Sequence, residues 1–575
     1  MSVIQKYKVR SVTDLKDMLN QSARLFGDKN AFLVKTCEGN YRGISYRTFK
    51  RDVESLGTAL MDLGLEDSFI ALIGENRYEW CTGYLATVCG TGIVVPLDKE
   101  LPENEIQNLL STSKASAVIF PGRLEESFKK MSPFLGHVKY FINMDSRQDE
   151  GNFLSFERLL EKGANLLDSG NRSFIDAPVD NEVMNMLIFT SGTTGHAKGV
   201  MLSHKNICSN ITAVLSTVHV DSSDSALSIL PVHHTYECSL GFLAMIYSGG
   251  TISFNEGLRH ISKNLKEVKP TLLFAVPLLL ESMYKKIWEQ AEKQKGLRAK
   301  LKFAILLSNF LLRIFKIDIR RKLFKAIHEN VGGRLRLILT GAAAIEPKVS
   351  KGFRAFGIKV LQGYGLTECS PLVTGNGDRA FKDASIGLAL PGVQIRLDEE
   401  GPDGVGEIVV KGNNVMLGYY NNAEATEKVL KDGWFYTGDL GYKDRKGFFY
   451  ISGRKKNVIV TKNGKNIFPE EVESYLNKSP FIQESLVWGK LDKISGETLV
   501  SAQILPNFDF IREKLRLNKP SKDECFSIIH SEIKNVNRNM PLYKRIYEFT
   551  IREEEFIKTT TKKIKRYLEK PRDKE

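Results

Sequence analysis

Residues 187–199 read Leu-Ile-Phe-Thr-Ser-Gly-Thr-Thr-Gly-His-Ala-Lys-Gly, and this stretch decides the fold. An apolar strand runs here into a loop of small hydroxyl residues and glycines that is closed by Lys198. Glycine lets the backbone approach an oxyanion and present successive N–H groups to it. Hydroxyls add hydrogen-bond donors, and the lysine adds a point charge. The spacing is not that of a Walker A loop, but the stretch still predicts a phosphate-binding loop at the end of a strand.

Strands and helices alternate through the first half of the chain. Apolar runs at 69–74, 93–96 and 117–120 are typical of buried strands, and a helical pattern occupies 46–63. Such alternation predicts parallel sheets with helices on their faces. A polar stretch at 147–185 separates this part from the strand that leads into the loop.

The pattern changes near Gly392. Short strands at 393–397, 406–410 and 447–451 are divided by glycine and aspartate turns, which predicts a small antiparallel barrel or sheet. From about Arg454 onward the chain is typical of a compact α+β unit of ordinary domain size.

The chain of 575 residues carries 82 basic and 68 acidic side chains, a net charge of +14. Much of the excess is local, since residues 285–325 contain thirteen basic and three acidic side chains. A basic balance suits nucleic acid, anionic lipid or polyphosphate ligands and does not choose among them. The overall composition is that of a globular protein and excludes collagen, a disordered tail protein and a disulfide miniprotein.

The cysteines and the apolar runs indicate the cellular compartment of the protein. The 7 cysteines are scattered and never form a Cys-x-x-Cys pair, which argues against a zinc site or a disulfide framework and favours a reducing compartment. The first ten residues lack the apolar run of a signal peptide. The longest apolar stretch, 303–312, is too short to span a bilayer. We therefore expect a cytoplasmic protein.

Further motifs follow the loop in chain order. They are Leu-Thr-Gly-Ala-Ala at 339–343, Gly-Tyr-Gly-Leu-Thr-Glu at 363–368, Gly-Trp-Phe-Tyr-Thr-Gly-Asp at 433–439, Gly-Arg at 453–454, and Lys-Thr-Thr-Thr-Lys-Lys-Ile-Lys-Arg at 558–566. Together they resemble the adenylate-forming (AMP-binding) enzyme superfamily. Within it the chain is most similar to the bacterial-type long-chain fatty acyl-CoA synthetases. Ala197 stands where the superfamily usually has proline, and Lys562 where it usually has glycine.

The resemblance implies an α/β (α+β) fold. A large N-terminal domain, residues 1–453, would comprise two α/β subdomains and a small β-barrel-like subdomain, and would bind ATP and the acyl substrate. A small mobile C-terminal α+β domain, residues 454–575, would carry a catalytic lysine and a CoA-binding face.

The resemblance also assigns the nucleotide site. An aromatic ring between glycines can stack on adenine, a hydroxyl can hold a phosphate, and a carboxylate can hold Mg²⁺. Tyr364, Thr367 and Glu368 take these roles, and Asp439 and Arg454 hold the ribose. The full set for ATP is Thr190, Ser191, Gly192, Thr193, Thr194, Gly195, Lys198, Gly341, Ala342, Tyr364, Thr367, Asp439 and Arg454.

The remaining assignments concern catalysis and CoA. Motif register places the catalytic lysine at Lys563 rather than Lys562, and the resemblance makes Glu368, Thr367 and His234 its partners. It makes Lys456 the hinge of the C-terminal domain and assigns Gly464 and Lys465 to CoA. His233 and His234 could also be metal ligands, but no third ligand lies nearby at useful spacing.

These parts imply a long-chain fatty acid–CoA ligase that uses ATP, Mg²⁺ and CoA. The carboxylate of the acid would attack the α-phosphate of ATP, and a thiol would then attack the acyl-adenylate. The protein's task is positioning and charge neutralisation, and rotation about Lys456 would bring the CoA face to the site.

The segment 285–325 contains a basic helical stretch. Arg313, Lys316 and Arg320 lie three and four residues apart, on one face of a predicted helix, and apolar residues cover much of the rest. This pattern predicts peripheral contact with the anionic inner face of a membrane; packing into the protein's own core is the other interpretation.

Other functions remain open at this stage. The acceptor could be acyl carrier protein, or the acid could be medium-chain or aromatic. A more distant alternative is a non-catalytic nucleotide-binding scaffold on a membrane. Nucleic acid is not expected, because aromatic residues do not interleave with the basic ones on an exposed groove.

Overall fold

The structure is a computed structural model that describes residues 7–190, 197–461, 466–492, 498–516, 520–558 and 564–569. Helices within these ranges are Leu15–Phe26, Tyr46–Asp62, Tyr78–Ala86, Glu103–Ser113, Glu125–Met131, Phe156–Asp168, Ser173–Asp176, His204–Leu215, Ala244–Ser248, Ile261–Val268, Pro277–Lys293, Leu297–Phe315, Arg320–Leu323, Lys325–Asn330, Pro347–Ala355, Ala423–Val429, Pro469–Leu476, Phe508–Leu515, Lys522–Arg538 and Arg566–Glu569.

The strand that leads into the predicted phosphate loop belongs to a mixed, mainly parallel sheet. In spatial order its described strands are Gly418–Tyr419, Lys198–Ser203, Met184–Thr190, Gly92–Leu97, Ser68–Ile73, Ala117–Phe120, Tyr140–Asn143 and Phe153–Ser155. The first three are joined by antiparallel pairs, and the others pair in parallel. The predicted strands at 69–74, 93–96 and 117–120 are confirmed.

A second sheet is also mixed and mainly parallel. Its described strands are, in spatial order, Leu388–Ala389, Leu372–Gly375, Lys359–Gly365, Leu337–Thr340, Leu272–Ala275, Ser225–Ser228, Thr251–Phe254, Asn30–Lys35 and Tyr41–Ser45. The central pairs are parallel and both edges are antiparallel. Both sheets alternate with helices along the chain, so the predicted α/β class is confirmed.

The polar stretch 147–185 is more structured than a separator between units. It contains the edge strand Phe153–Ser155 and the helix Phe156–Asp168, which begins with a Ser155 side-chain cap. A Cβ on Gly163 would lie 1.7 Å from the Ser55 carbonyl oxygen, so this helix packs backbone to backbone against Tyr46–Asp62. The stretch therefore completes the first sheet and covers it.

The antiparallel unit predicted after Gly392 is present. Its described strands are Gln394–Asp398, Gly406–Lys411, Leu430–Lys431, Trp434–Lys443 and Phe449–Arg454. Every pair among them is antiparallel. Short strands of this kind, divided by glycine and aspartate turns, are what the sequence pattern predicts.

The C-terminal part forms its own core. Strands Ile482–Leu491, Thr498–Pro506 and Ile546–Ile551 make one sheet, and Ile459–Val460 pairs with Asn466–Ile467. Ile504, Ile529 and Val472 are fully buried within one cluster, which brings helices Pro469–Leu476 and Lys522–Arg538 together with the larger sheet. This arrangement confirms the predicted α+β character.

One expectation for the basic segment is wrong. The helix Leu297–Phe315 ends before Lys316, which adopts a left-handed conformation with φ +59°. Arg320 begins another short helix, and its guanidinium pairs with Asp318 and donates to the Arg354 carbonyl. Arg313, Lys316 and Arg320 therefore do not share one helix face, because a helix period cannot continue through a left-handed residue.

The described residues contain no helix that is both long and apolar enough to cross a membrane. All 7 cysteines are free. Within the same ranges, no group of three or more His, Cys, Asp or Glu side chains could hold a metal ion.

Candidate functional site

The predicted phosphate loop joins two paired strands. Met184–Thr190 and Lys198–Ser203 are antiparallel neighbours, with Thr190 opposite Lys198. The Thr190 hydroxyl donates to the Lys198 carbonyl at 3.4 Å. Ser191, Gly192, Thr193, Thr194 and Gly195 lie outside the described residues. The strand pair thus places both ends of the loop side by side, at the ends of two neighbouring strands of the first sheet.

The predicted ribose carboxylate, Asp439, lies in a compact hydrogen-bonded group. Tyr364 donates its hydroxyl to Asp439 Oδ2 at 2.6 Å. The Arg454 Nε lies 2.6 Å from Asp439 Oδ1, and the two residues face each other on paired strands. The side chain of Asp439 is only 6% exposed, whereas that of Arg454 is 40% exposed. Three predicted nucleotide residues, distant in sequence, therefore meet at one point.

Local geometry holds Asp439 in place from its own strand. Its backbone N–H donates to the Thr437 hydroxyl at 3.0 Å, and that hydroxyl donates to the Ile408 carbonyl. Gly438 has φ +71° and donates its N–H to the Glu407 carboxylate. A residue with a Cβ would be strained at this φ, so the glycine allows the turn that presents the carboxylate.

The predicted Mg²⁺ residue, Glu368, lies in the short turn Thr367–Cys369. Its Oε1 accepts a hydrogen bond from the Tyr419 hydroxyl at 2.9 Å. The Lys198 ammonium lies 4.7 Å from the centroid of the same tyrosine ring. Burial, followed by the Glu368 carboxylate, raises the pKa of Tyr419 well above its usual value, so the hydroxyl stays a donor.

The predicted ATP residues Gly341 and Ala342 directly follow the strand Leu337–Thr340. A Cβ on Gly341 would lie 3.4 Å from the Gly363 carbonyl oxygen and 3.9 Å from the Tyr236 ring. Ala342 adopts a left-handed conformation with φ +69°. Gly341 therefore lies beside both the Gly-Tyr-Gly motif and the histidine-bearing segment.

The histidine segment lies at the ends of strands from both sheets. The rings of His233 and His234 have centroids 4.1 Å apart. The Nε2 of His233 is 3.5 Å from the Oδ2 of Asp98, which follows the strand Gly92–Leu97, and both side chains are buried. The backbone N–H of His234 donates to the Pro231 carbonyl at 3.1 Å. These contacts fix the position of His234, the predicted catalytic residue of this segment.

A buried acid anchors the same segment. Glu237 is 1% exposed, and its Oε1 accepts from the Ser228 hydroxyl at 2.5 Å. Asn76 donates to that hydroxyl and to the Leu230 carbonyl, and accepts from the Val232 N–H. Burial raises the pKa of Glu237 to about 8, and only the hydrogen bond from Ser228 opposes this rise.

The predicted hinge, Lys456, occupies the turn Lys455–Asn457 directly after the strand that carries Arg454. Its neighbour Lys455 pairs with Glu399 and Glu407 of the antiparallel unit. The predicted CoA residues Gly464 and Lys465, and the predicted catalytic Lys563 with its neighbour Lys562, lie outside the described residues.

Arg566, three residues after the predicted catalytic Lys563, contacts the core of the C-terminal part. Its guanidinium is 2.5 Å from Glu473 and donates to the Val487 carbonyl at 3.0 Å. Burial raises the pKa of Glu473 to about 7 despite this arginine. The last described residues of the motif are therefore fixed on the core of the C-terminal part.

Sequence reasoning missed several residues of this site. Tyr419, Asp98, Asn76 and Glu237 carry contacts that no motif quoted above includes. Tyr419 stands in Gly-Tyr-Tyr-Asn-Asn at 418–422, and an aromatic pair before a turn was the available signal. Asp98, Asn76 and Glu237 carry no such signal in the sequence, because their partners come from distant strands.

Two family models match the chain. The model described as AMP-binding enzyme matches residues 19–420, and the AMP-binding enzyme C-terminal domain matches residues 456–568. Long-chain-fatty-acid–CoA ligase 5 of Rattus norvegicus is 32% identical over 81% of this chain and 72% of its own length. Fatty acyl-CoA synthetase B of Dictyostelium discoideum is 26% identical over 94% of this chain and 82% of its own.

A solved structure shares the fold. The anthranilate CoA ligase AuaEII in complex with anthranoyl-AMP has a TM-score of 0.76 and 20% sequence identity, and the match covers 98% of this chain and 97% of that one. The relatives and the family models confirm the predicted superfamily and the prediction of an AMP-forming acid–thiol ligase.

Proposed function

Because the chain belongs to the AMP-binding enzyme family, we propose that it is a long-chain fatty acid–CoA ligase. It converts a fatty acid and ATP to an acyl-adenylate and pyrophosphate, and then forms the acyl-CoA thioester with release of AMP. The observation that carries this proposal is the group around Asp439, where Tyr364 and Arg454 converge on one buried carboxylate. A carboxylate so fixed is suited to accept hydrogen bonds from the two hydroxyls of a ribose.

In the first step, a carboxylate oxygen of the fatty acid attacks the α-phosphorus of ATP. A new P–O bond forms as the bond to pyrophosphate breaks, and pyrophosphate leaves with that electron pair. No side-chain nucleophile is needed, so the protein's contribution is positioning and charge neutralisation. Asp439 and Arg454 hold the ribose, Tyr364 lies against adenine, and Lys198 with the 190–198 loop neutralises phosphate charge. Lys563 acts at the α-phosphate.

Glu368 is the residue that would hold Mg²⁺. One of its oxygens accepts from Tyr419, and a single carboxylate completed by substrate phosphates and water is the usual protein share of a magnesium site. Bound there, the ion would neutralise charge on the phosphates. Thr367 precedes this carboxylate and binds phosphate through its hydroxyl.

In the second step, the thiolate of CoA attacks the acyl carbonyl carbon. The C–S bond forms, and AMP leaves with the oxygen that came from the fatty acid. We place the boundary between the moving parts at residues 453 and 454, with Lys456 as the hinge and Gly464 and Lys465 beside CoA. The short turn Lys455–Asn457 can absorb the change in backbone angles.

The acid side of the site suits an aliphatic chain. We assign His234 to the boundary between the nucleotide and the acid; Tyr236, Glu237 and Phe242 follow it along the chain, and the last two are buried. Burial raises the pKa of Glu237 to about 8, which favours the protonated form that an apolar surrounding accommodates best. The names of the relatives favour long-chain acids over the medium-chain or aromatic alternative.

The direct test is AMP release from ATP and Mg²⁺ with acetate, octanoate, benzoate, palmitate and oleate, each with and without CoA. We expect CoA-dependent release that is greatest with palmitate or oleate. Activity confined to octanoate or benzoate would overturn the long-chain assignment. Pyrophosphate release that does not depend on CoA but continues with acyl carrier protein would make acyl carrier protein the acceptor in place of CoA. Tight ATP binding without turnover on any acid would favour a nucleotide-binding scaffold.

The helix Leu297–Phe315 supplies a second surface. Phe303, Leu306, Phe310 and Ile314 recur at helical spacing and are 66%, 69%, 56% and 59% exposed. The only buried residue of this helix is Ser308. The core-packing interpretation of the segment is therefore wrong for this stripe, which faces outward.

Basic residues flank the apolar stripe. They are Arg298, Lys300, Lys302, Arg313, Lys316, Lys322 and Lys325, all of them exposed. An exposed apolar stripe bordered by positive charge matches a bilayer with anionic lipid, where each basic residue contributes about 1 kcal/mol. We therefore place the protein in the cytoplasm, attached peripherally to the inner face of the membrane.

Vesicle sedimentation tests this attachment. We expect binding to vesicles of phosphatidylcholine and phosphatidylglycerol, and about tenfold weaker binding after Phe303, Leu306, Phe310 and Ile314 are changed to Ser, because apolar burial supplies the attachment. Changing the exposed Leu542 and Tyr547 to Ser is the matched control. Equal vesicle binding by both variants, or tighter binding to single-stranded DNA than to lipid, would contradict the assignment.

A further inference from the structure

Tyr419 lies between two residues of the phosphate site that are far apart in sequence. Its hydroxyl donates to Glu368 Oε1 at 2.9 Å, and its ring centroid is 4.7 Å from the Lys198 ammonium. The residue is only 6% exposed. One side chain therefore contacts both the predicted magnesium carboxylate and the lysine that closes the phosphate loop.

The backbone around Tyr419 is tied to the same two elements. Leu417 donates its N–H to the Met201 carbonyl at 3.0 Å, and Tyr420 donates to the Gly199 carbonyl at 2.7 Å. Met416 donates to the Glu368 carbonyl at 2.9 Å. The strand Gly418–Tyr419 is thus bonded to the lysine strand on one side, and the residues before it to the turn that carries Glu368.

We propose that Tyr419 is a positioning residue that sets the Glu368 carboxylate and the Lys198 ammonium at a fixed separation for the triphosphate. The proposal rests on the proposed function, since it assigns Tyr419 to the ATP site. The hydroxyl occupies one carboxylate oxygen, which limits rotation of Glu368 and leaves the other oxygen for a cation. The ring attracts the lysine ammonium through its electron-rich face.

Two substitutions separate the two contacts. Tyr419→Phe removes the hydroxyl and keeps the ring, whereas Tyr419→Leu removes both. Tyr420→Phe is the matched control, because it removes the hydroxyl of the neighbouring tyrosine, whose ring packs against Phe69 with the centroids 5.6 Å apart. The readout is the binding of ATP by calorimetry across a Mg²⁺ titration, with AMP and inorganic pyrophosphate without Mg²⁺ as further probes.

We expect Tyr419→Phe to raise the Mg²⁺ concentration for half-maximal ATP binding by about tenfold, the size typical of a lost hydrogen bond to a charged group. Metal-free AMP binding stays unchanged. Tyr419→Leu also weakens metal-free pyrophosphate binding, because the Lys198 ammonium loses the ring. Tyr420→Phe behaves as wild type in all three measurements.

A double-substitution cycle isolates the link to the carboxylate. In a Glu368→Gln background, Tyr419→Phe is expected to have no further effect on the Mg²⁺ requirement, since the two residues act through one contact. The proposal is overturned if Tyr419→Phe binds Mg²⁺ and ATP as wild type does, if it weakens AMP and ATP equally, or if its effect adds fully to that of Glu368→Gln. These binding measurements need no fatty acid, so failure of the ligase assignment would appear separately as absent turnover with normal ATP binding.

Discussion

Asp439 and Glu237 are both buried carboxyl groups, but their surroundings differ. Asp439 belongs to the proposed nucleotide site, where Arg454 and Tyr364 each contact one of its oxygens. Glu237 lies on the acid side, where its carboxyl contacts the Ser228 hydroxyl and burial raises its pKa to about 8. Asp439 contacts a guanidinium, whereas Glu237 contacts a hydroxyl and its raised pKa favours the protonated form.

The difference follows the chemistry that each side is proposed to handle. A nucleotide brings hydroxyls and phosphates, which fixed charges and dipoles can hold without reorganisation. A fatty acyl chain brings hydrocarbon, beside which an unpaired charge would be costly. The protein pairs Asp439 with Arg454, whereas Glu237 is buried with its pKa raised and accepts from the neutral Ser228 hydroxyl.

The largest effect is expected at Lys563, which would add a cation to the nucleotide side. Lys563→Ala should lower the rate of acyl-adenylate formation by about 10²–10³-fold, the loss typical when one group that stabilises transition-state charge is removed. The measurement is single-turnover pyrophosphate release. Lys562→Ala is the neighbouring control and should stay within about threefold of wild type; a reversed order would move the catalytic role to Lys562.

A smaller effect is expected at Asp439. Asp439→Asn should weaken ATP binding by about 10²-fold, because hydrogen bonds to a charged acceptor are worth about 1.5–3 kcal/mol. Wild type should discriminate against 2′,3′-dideoxy-ATP, and the variant should lose most of that discrimination. If the variant weakens both nucleotides equally, Asp439 does not read the ribose hydroxyls and the comparison with Glu237 loses its functional basis.

The smallest effect on activity, and the clearest pH signature, is expected at Glu237. Its pKa rises from the ordinary 4.5 to about 8 on folding, so the folded protein holds this proton more tightly than the unfolded chain does. The resulting stabilisation is complete below about pH 4.5 and is lost as pH rises through about 8. Glu237→Gln cannot ionise. Its melting temperature, relative to that of wild type, should therefore rise as the pH increases from about 4.5 to about 8.

Activity of Glu237→Gln should remain within about threefold of wild type at neutral pH, since glutamine can accept from Ser228 in the same way. Above pH 8 the wild-type rate should fall more steeply than that of the variant. Glu424→Gln is the control, because the exposed Glu424 has its pKa lowered by Lys428 and its trend in stability runs the other way. Parallel melting curves for wild type and Glu237→Gln would show that Glu237 is already ionised when folded.

The same contrast separates what sequence can predict from what it cannot. Asp439 and Arg454 were predictable as a pair of motif residues, and the structure places them opposite each other on neighbouring strands. The strand Ala117–Phe120 begins and ends at the same residues as the apolar run that predicts it. Patterns of this kind depend on local sequence or on a motif with a known order, and both are visible in a single chain.

Contacts between distant strands were not predictable. Asn76 reaches Leu230, and Tyr419 reaches Glu368, only because two sheets and an added edge strand meet. The end of the helix Leu297–Phe315 was also missed, because Lys316 adopts a left-handed conformation that favours glycine or asparagine. Nothing in the residue type at that position indicates a helix end.

The most direct test of the central claim follows the oxygen atoms of the acid. Palmitate labelled with ¹⁸O in its carboxylate is incubated with ATP, Mg²⁺ and CoA, and the AMP is analysed by mass spectrometry. If the carboxylate attacks the α-phosphorus, one labelled oxygen appears in the AMP phosphate and the other stays in the thioester carbonyl. Label in pyrophosphate, release of ADP, or AMP without label would contradict acyl-adenylate formation.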